Sequence, residues 1–227
     1  MEKSMKVKLI SYSQPTEEVK QEGLEDVQDL IAFCARVSNP DNQMNTETSE
    51  KLLNYLAKHA HWSPFEMVSA CIEIETTRDI ARQILRHRSF SFQEFSQRYA
   101  DPTKDLDFVI REARLQDLKN RQNSVEIDDA KLVEEWKWQQ EQVITAAQRA
   151  YSWAIRNGIA KEQARAVLPE GNTMSRMYMN GTIRSWIHYV ELRGANGTQK
   201  EHMDIAKAIA EVIASVFPLA TSYVNNN

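Results

Sequence analysis

The sequence predicts one compact α+β unit in which helices dominate. Three observations carry this: apolar residues recur at helical spacing over much of the 227 residues, two stretches alternate with the period of a half-buried strand, and no repeat, low-complexity tract or linker divides the chain, so residues 1–227 read as a single domain. In order, residues 5–12 alternate weakly through Val7 and Leu9 and predict a strand. Residues 22–37 carry Val27, Leu30, Ile31, Cys34 and Ala35 at helical spacing, and Pro40 ends that helix. Residues 47–58 present Leu52, Leu53 and Leu56 on one side of a second helix. Ser63-Pro64-Phe65-Glu66 has the form of a capping box with proline at the first helical position, which predicts a short helical turn capped by Ser63. Val68, Ala70, Ile72 and Ile74 then alternate with Ser69, Cys71, Glu73 and Glu75 as a second strand, and residues 76–88 resume helical character. Residues 99–128 read as a polar excursion over the surface, in which 107–110 could form a short strand. A long helix over 129–157 stops at Gly158, and helices follow at 161–167, 182–193 and 199–216, the last entered through Thr198-x-x-Glu201 and closed by Pro218. Asn225–Asn227 read as a frayed end.

Composition excludes some functions. A net charge of −4 opposes an extended nucleic-acid polyanion, so any anion bound should be small and held locally. Cys34 and Cys71 form no CxxC or disulfide framework and read as ordinary core thiols in a reducing compartment. No run approaches the ~18–20 apolar residues of a membrane span, and the first residues lack the apolar stretch of a secretory signal. The expectation is a soluble, cytoplasmic protein that engages neither nucleic acid nor membrane.

Chemistry concentrates at residues 86–98, where Arg86, His87, Arg88, Ser89, Ser91, Gln93, Glu94, Ser96 and Arg98 are interleaved with Phe90, Phe92 and Phe95. A solvated surface would account for the polar residues, whereas the interleaved aromatics suggest a partly buried site. Arg78, Arg82 and Arg86 recur every four residues and predict one cationic helix stripe, with Gln83 beside it. Such a stripe repels itself unless anions or water answer it, and the planar arginine fork suits phosphate. Glu94 would oppose a bare phosphate but can accept from an N–H or hydroxyl of a base or sugar, so a nucleotide fits better. A metal-dependent hydrolase would need carboxylates such as Glu134, Glu135 and Glu141, which read instead as a solvated helix face. The five histidines show no HExxH spacing, so no metal site is expected. An RNA-binding module would suit arginines among phenylalanines, but the acidic total charge opposes it.

Arg86-His87-Arg88, seven residues, Ser96 and then Arg98 resemble the RHR-x7-S signature of flavin-dependent thymidylate synthases. The chain is similar to that family also at His61-Trp62-Ser63-Pro64-Phe65-Glu66, at 164–169, at 184–193 and at Thr198-Gln199-Lys200-Glu201. The resemblance implies a helix-rich single domain with a small, mainly antiparallel sheet, assembled as a homotetramer with FAD and dUMP bound where subunits meet. The site residues need not then converge within one chain. It implies FAD contacts at Ser63, Arg86, His87, Arg88, Glu94, Thr182, Arg184 and His188. It implies dUMP contacts at Gln83, Ile84, Leu85, Arg86, Glu94, Phe95, Ser96, Gln97, Arg98, Arg165 and Arg193, with Ser96 and Arg98 at the phosphate. Arg193 would be catalytic, favouring the N3-deprotonated, enolate-like uracil without attack by a thiol. NADPH would reduce the flavin and methylenetetrahydrofolate would donate the carbon; with six glycines and no Gly-x-Gly-x-x-Gly loop, no Rossmann site for NADPH is expected. Gln93 stands where many members of that family carry asparagine, and Thr182 where some do.

Overall fold

The computed structural model describes residues 5–220; the frayed end expected at Asn225–Asn227 lies outside them. The elements run β1 (Lys6–Tyr12), α1 (Glu17–Gln21), α2 (Val27–Ala35), α3 (Ser49–Lys58), a 3-10 turn (Ser63–Glu66), β2 (Ser69–Thr77), α4 (Arg78–Ile84), β3 (Ser91–Glu94), α5 (Pro102–Asp105), β4 (Leu115–Gln116), β5 (Ser124–Val125), α6 (Ala130–Arg156), α7 (Lys161–Ala164) with a 3-10 turn (Arg165–Val167), β6 (Met174–Thr182), α8 (Ile183–Gly194) and α9 (Lys200–Ala214). Four strands pair in the order β1-β2-β6-β3, every pairing antiparallel; β4 and β5 form a separate hairpin.

One face of the sheet makes the core. Ile72 lies opposite Met179 and Ile74 opposite Met177, and all four are buried. Onto them pack Ile183, Trp186, Ile187 and Val190 of α8, and Ile205, Ala206, Ile209 and Ile213 of α9. Val27 and Ile31 of α2 and Leu53 of α3 complete the layer. The other face is polar, with Glu75 accepting from Arg176 at 2.8 Å, so the alternation along β2 follows from one covered face. A smaller cluster, Tyr151, Ala154, Ala164 and Leu168, ties the end of α6 to α7. Among the described residues no helix is long and apolar enough to cross a membrane.

The structure corrects several boundaries. The helix expected from residue 22 begins at Val27, because Gly23 adopts a φ of 109° after α1 and Asp26 caps α2 by accepting from Asp29 N at 2.9 Å. Neither expected capping box forms. Ser63 is the first residue of its turn, with Trp62 at the cap position and no side-chain cap bond, and Gln199, not Thr198, precedes α9. Glu66 and Glu201 instead bind arginines, Arg184 at 2.6 Å and Arg114 at 2.5 Å. The strand expected at 107–110 reduces to one bridge, Phe108 with Thr173. Gln140 of α6 holds that segment, accepting from Arg111 N at 2.7 Å and donating to Arg111 O at 2.9 Å.

Strand β6 was not expected, and it is central. Its inward positions are Ser175, Met177, Met179 and Gly181, two of them not apolar enough to register as alternation. Gly181 is required there: a Cβ would stand 2.3 Å from Phe90 Cδ1, and Phe90 is held against Trp186 with ring centroids 4.6 Å apart. Gly181→Ala should therefore destabilise the fold by about 1–3 kcal/mol, seen as a lowered urea midpoint, and an unchanged midpoint would show that Phe90 yields freely.

Candidate functional site

The cationic stripe does not form as one surface. Helix α4 ends at Ile84, so Arg86 leaves the row, and carboxylates answer the other two arginines. Arg82 grips Glu170 through two nitrogens, each within 3.0 Å; Arg78 reaches Glu94 at 3.4 Å and Glu170 at 3.9 Å. The hydrogen bond from Arg82 is the largest influence holding the Glu170 carboxyl below the usual carboxylate range, although burial opposes it. Glu94, on β3, also accepts from Ser175 Oγ at 2.8 Å, which fixes its carboxylate from the neighbouring strand.

Past α4 the chain alternates inward and outward. Arg86 and Arg88 are exposed, and no hydrogen bond or ion pair engages either guanidinium among the described residues. The sequence expectation of a partly buried arginine pocket is therefore not met within one chain. His87, between them, is half-buried: its ring packs edge-on to Tyr189 at 4.8 Å and its Nε2 accepts from Arg193 Nε at 2.9 Å. An imidazole nitrogen that accepts carries no proton, so His87 is neutral with its hydrogen on Nδ1. Burial first, then the Arg193 and Arg86 charges, push its pKa down, which agrees.

The remaining expected residues fall into distinct groups. Arg98 pairs with Glu162 at 3.3 Å, Arg165 Nε donates to the Glu162 carbonyl at 3.3 Å, and Ser96 Oγ accepts from Arg98 N at 3.4 Å. Beside them Gln97 is 3% exposed with its Nε2 unpartnered, while Phe95 is pinned by its backbone N–H to Arg176 O at 2.8 Å. A second group surrounds the turn at Ser63: Arg184 reaches Glu66, and His188 stacks edge-on to Trp62 at 4.7 Å while meeting Glu191 at 3.2 Å. Thr182 caps α8, accepting from Ser185 N at 3.2 Å. The Ile84 side chain is core, and Leu85 is half-buried against it. Cavities of about 730, 810 and 330 Å³ lie elsewhere, lined largely by residues 108–136 and by 196–204. Glu134, Glu135 and Glu141 are exposed along α6, as a solvated face requires.

Sequence reasoning missed Glu170, Ser175, Tyr189 and His202. His202 had a visible signal: it continues the buried stripe Ile205, Ile209 and Ile213 of α9 and is itself fully buried. It meets Tyr189 Oη at 2.9 Å and Gln83 Oε1 at 3.2 Å.

Comparison with known proteins places the chain in a family. Residues 21–219 match the family described as Thymidylate synthase complementing protein. The chain is 47% identical over 214 residues to a probable flavin-dependent thymidylate synthase of Paramecium bursaria Chlorella virus 1, covering 94% of this chain and 96% of that one. It is also 47% identical to the flavin-dependent thymidylate synthase of Synechocystis sp., with the same coverage. Its fold is shared with a UMP/dUMP methylase, PolB of Streptomyces cacaoi, bound with 5-Br dUMP, at a TM-score of 0.76 and 24% identity over 97% of this chain and 94% of that one. The matched residues take in β2, β3 and β6, the arginine motif and helix α8, which carries both of His87's partners, and the chain belongs to the Thymidylate synthase complementing protein family, that of the flavin-dependent thymidylate synthases.

Proposed function

We propose that the chain binds FAD and dUMP and forms dTMP, with methylenetetrahydrofolate as carbon donor and NADPH as reductant, acting as one 227-residue unit in a cytoplasmic homotetramer. The observation that carries this is the contact of Arg193 with a neutral His87, flanked by two unanswered arginines.

The residues suit a flavin dinucleotide. Arg86 and Arg88 offer free forks where their neighbours Arg78 and Arg82 are already neutralised, which is the donor set a pyrophosphate requires. Ser63, His87, Glu94, Thr182, Arg184 and His188 would supply the remaining contacts, from more than one subunit. That sharing accounts for exposed arginines in a single chain. Bound flavin supplies the reducing equivalents that leave a methyl group on the base. The protein's own share is electrostatic. With Nε given to His87, Arg193 keeps its terminal nitrogens for the pyrimidine, where a fixed positive charge stabilises the anionic ring. His87 holds that fork because, being neutral, it accepts. Ser96, Arg98 and Arg165 would take the phosphate, with Arg98 exchanging Glu162 for the ligand, and Gln83 through Arg86, together with Glu94, Phe95 and Gln97, would line the nucleoside. A thiol nucleophile is not called for: burial pushes both Cys34 and Cys71 up, away from the thiolate form.

The test is an absorption spectrum of the purified protein followed by NADPH oxidation with and without dUMP. Flavin bands and dUMP-dependent formation of dTMP support the reading; a colourless protein that cannot be loaded with FAD overturns it. Arg86→Ala should weaken dUMP binding about tenfold, the cost of one charge-assisted contact, and lower flavin retention with it. Unchanged affinity for both ligands in an equilibrium titration would remove Arg86 from the site.

A further inference from the structure

One unbroken chain of hydrogen bonds passes through Gln83, and its other members have no part in the chemistry above. Tyr189 Oη lies 2.9 Å from His202 Nε2, and His202 Nδ1 lies 3.2 Å from Gln83 Oε1. Gln83 Nε2 donates to Gln199 Oε1 at 2.8 Å, and Gln199 Nε2 donates to Glu201 Oε2 at 2.9 Å. Arg114 and Arg111 close the end, at 2.5 and 3.2 Å from the Glu201 carboxylate.

The direction of every bond follows from that last residue. Burial opposes ionisation of Glu201, but its own backbone N–H, the Arg111 charge and the bonds from Gln199 and Arg114 outweigh it and hold the carboxyl below its ordinary range. An ionised carboxylate only accepts. Gln199 must therefore turn its NH2 to Glu201 and its oxygen to Gln83, Gln83 must answer with its NH2, and its oxygen is left to face a protonated His202 Nδ1. His202 Nε2 then accepts from Tyr189, and no group in the chain can be turned over alone.

We propose that this chain fixes the polarity of the Gln83 amide and thereby lets the site accept a uracil and refuse a cytosine. The inference rests on Gln83 being a nucleotide contact, as read above. An amide has two N–H donors and two lone pairs, of which the chain uses one each. The carbonyl end points toward buried Tyr189 and His202, at 1% and 0% exposure, and the nitrogen end toward half-buried Gln199. The free N–H thus stands at the outer end, where a carbonyl oxygen satisfies it and an amino group does not. Uracil carries an oxygen at C4 and cytosine an amino group. A reversed amide would suit cytosine, but it would set N–H against His202 N–H and oxygen against the Gln199 oxygen, leaving buried groups unpaired.

The experiment is calorimetric titration of the flavin-loaded enzyme with dUMP and with dCMP. The wild type should prefer dUMP by roughly 100-fold or more. His202→Leu and Gln199→Met each free the amide and should lower that ratio about tenfold, whereas His202→Asn, which keeps an N–H toward Gln83, should restore most of it. A general loosening of structure would weaken both nucleotides alike and leave the ratio unmoved. An unchanged ratio in a folded His202→Leu, or in Gln199→Met where the first fails to fold, overturns the inference. Failure of the wild type to bind either nucleotide overturns the underlying reading of the site as well.

Discussion

Arg193→Ala is expected to cut dTMP formation by roughly 100- to 1000-fold, the usual consequence of removing one group that stabilises charge developing in a transition state. Arg193 is half-buried, and its one described side-chain hydrogen bond runs to His87. The variant should therefore fold and keep much of its flavin, so that the loss appears in turnover at saturating dUMP and not in cofactor content. Arg193→Lys keeps a charge but cannot both bond His87 and present a planar fork, so it should remain severely impaired. A second readout checks the contact itself: because the Arg193 charge lowers the His87 pKa, the alanine variant should titrate His87 at higher pH by NMR. Unimpaired turnover would refute the role given to Arg193.

Acidification should destabilise the chain through His202, whose pKa is lowered to about 4, chiefly by burial and then by the Arg193 charge, by repulsion from His87 once that ring is protonated as well, and by the Arg86 charge. A histidine with a lowered folded pKa binds fewer protons folded than unfolded, so its stabilising share is complete above the unfolded value of 6.5 and is lost as pH falls toward 4. The full displacement is worth roughly 3 kcal/mol. His87 contributes in the same direction. Denaturant unfolding at pH 7, 5.5 and 4.5 should show this loss on top of the general effect of carboxylate protonation, and His202→Gln, which cannot take up a proton, should flatten that part of the curve. Parallel curves for the two proteins would mean that His202 is solvated or charged in the folded state.

Much of this was legible in the sequence, and the misses have physical reasons. The helices read well where a single face is apolar, as in α9, and β2 read well because only one side of the sheet is covered. Strand β6 escaped because half of its inward face is serine and glycine, chosen for Glu94 and Phe90 and not for hydrophobicity. The arginine motif identified which residues matter but not how they pair: spacing alone joined Arg78, Arg82 and Arg86, and Glu170, 84 or more residues away in sequence, divides them. The capping boxes failed for a related reason, since Glu66 and Glu201 are claimed by arginines from other elements. The Gln83 chain joins residues 83, 189, 199, 201 and 202, and a string of letters holds no record of which end of an amide faces which neighbour.

The two arms of nucleotide recognition should respond differently to ionic strength. Arg86 and Arg88 stand in solvent as full charges, so mobile counter-ions compete with any phosphate they hold. The path from Tyr189 to Gln199 passes only through neutral dipoles, with its ionised anchor already matched by two guanidinium groups, and offers dissolved salt nothing to shield. Rising salt should thus loosen the grip on the ligand as a whole while leaving the preference between bases intact.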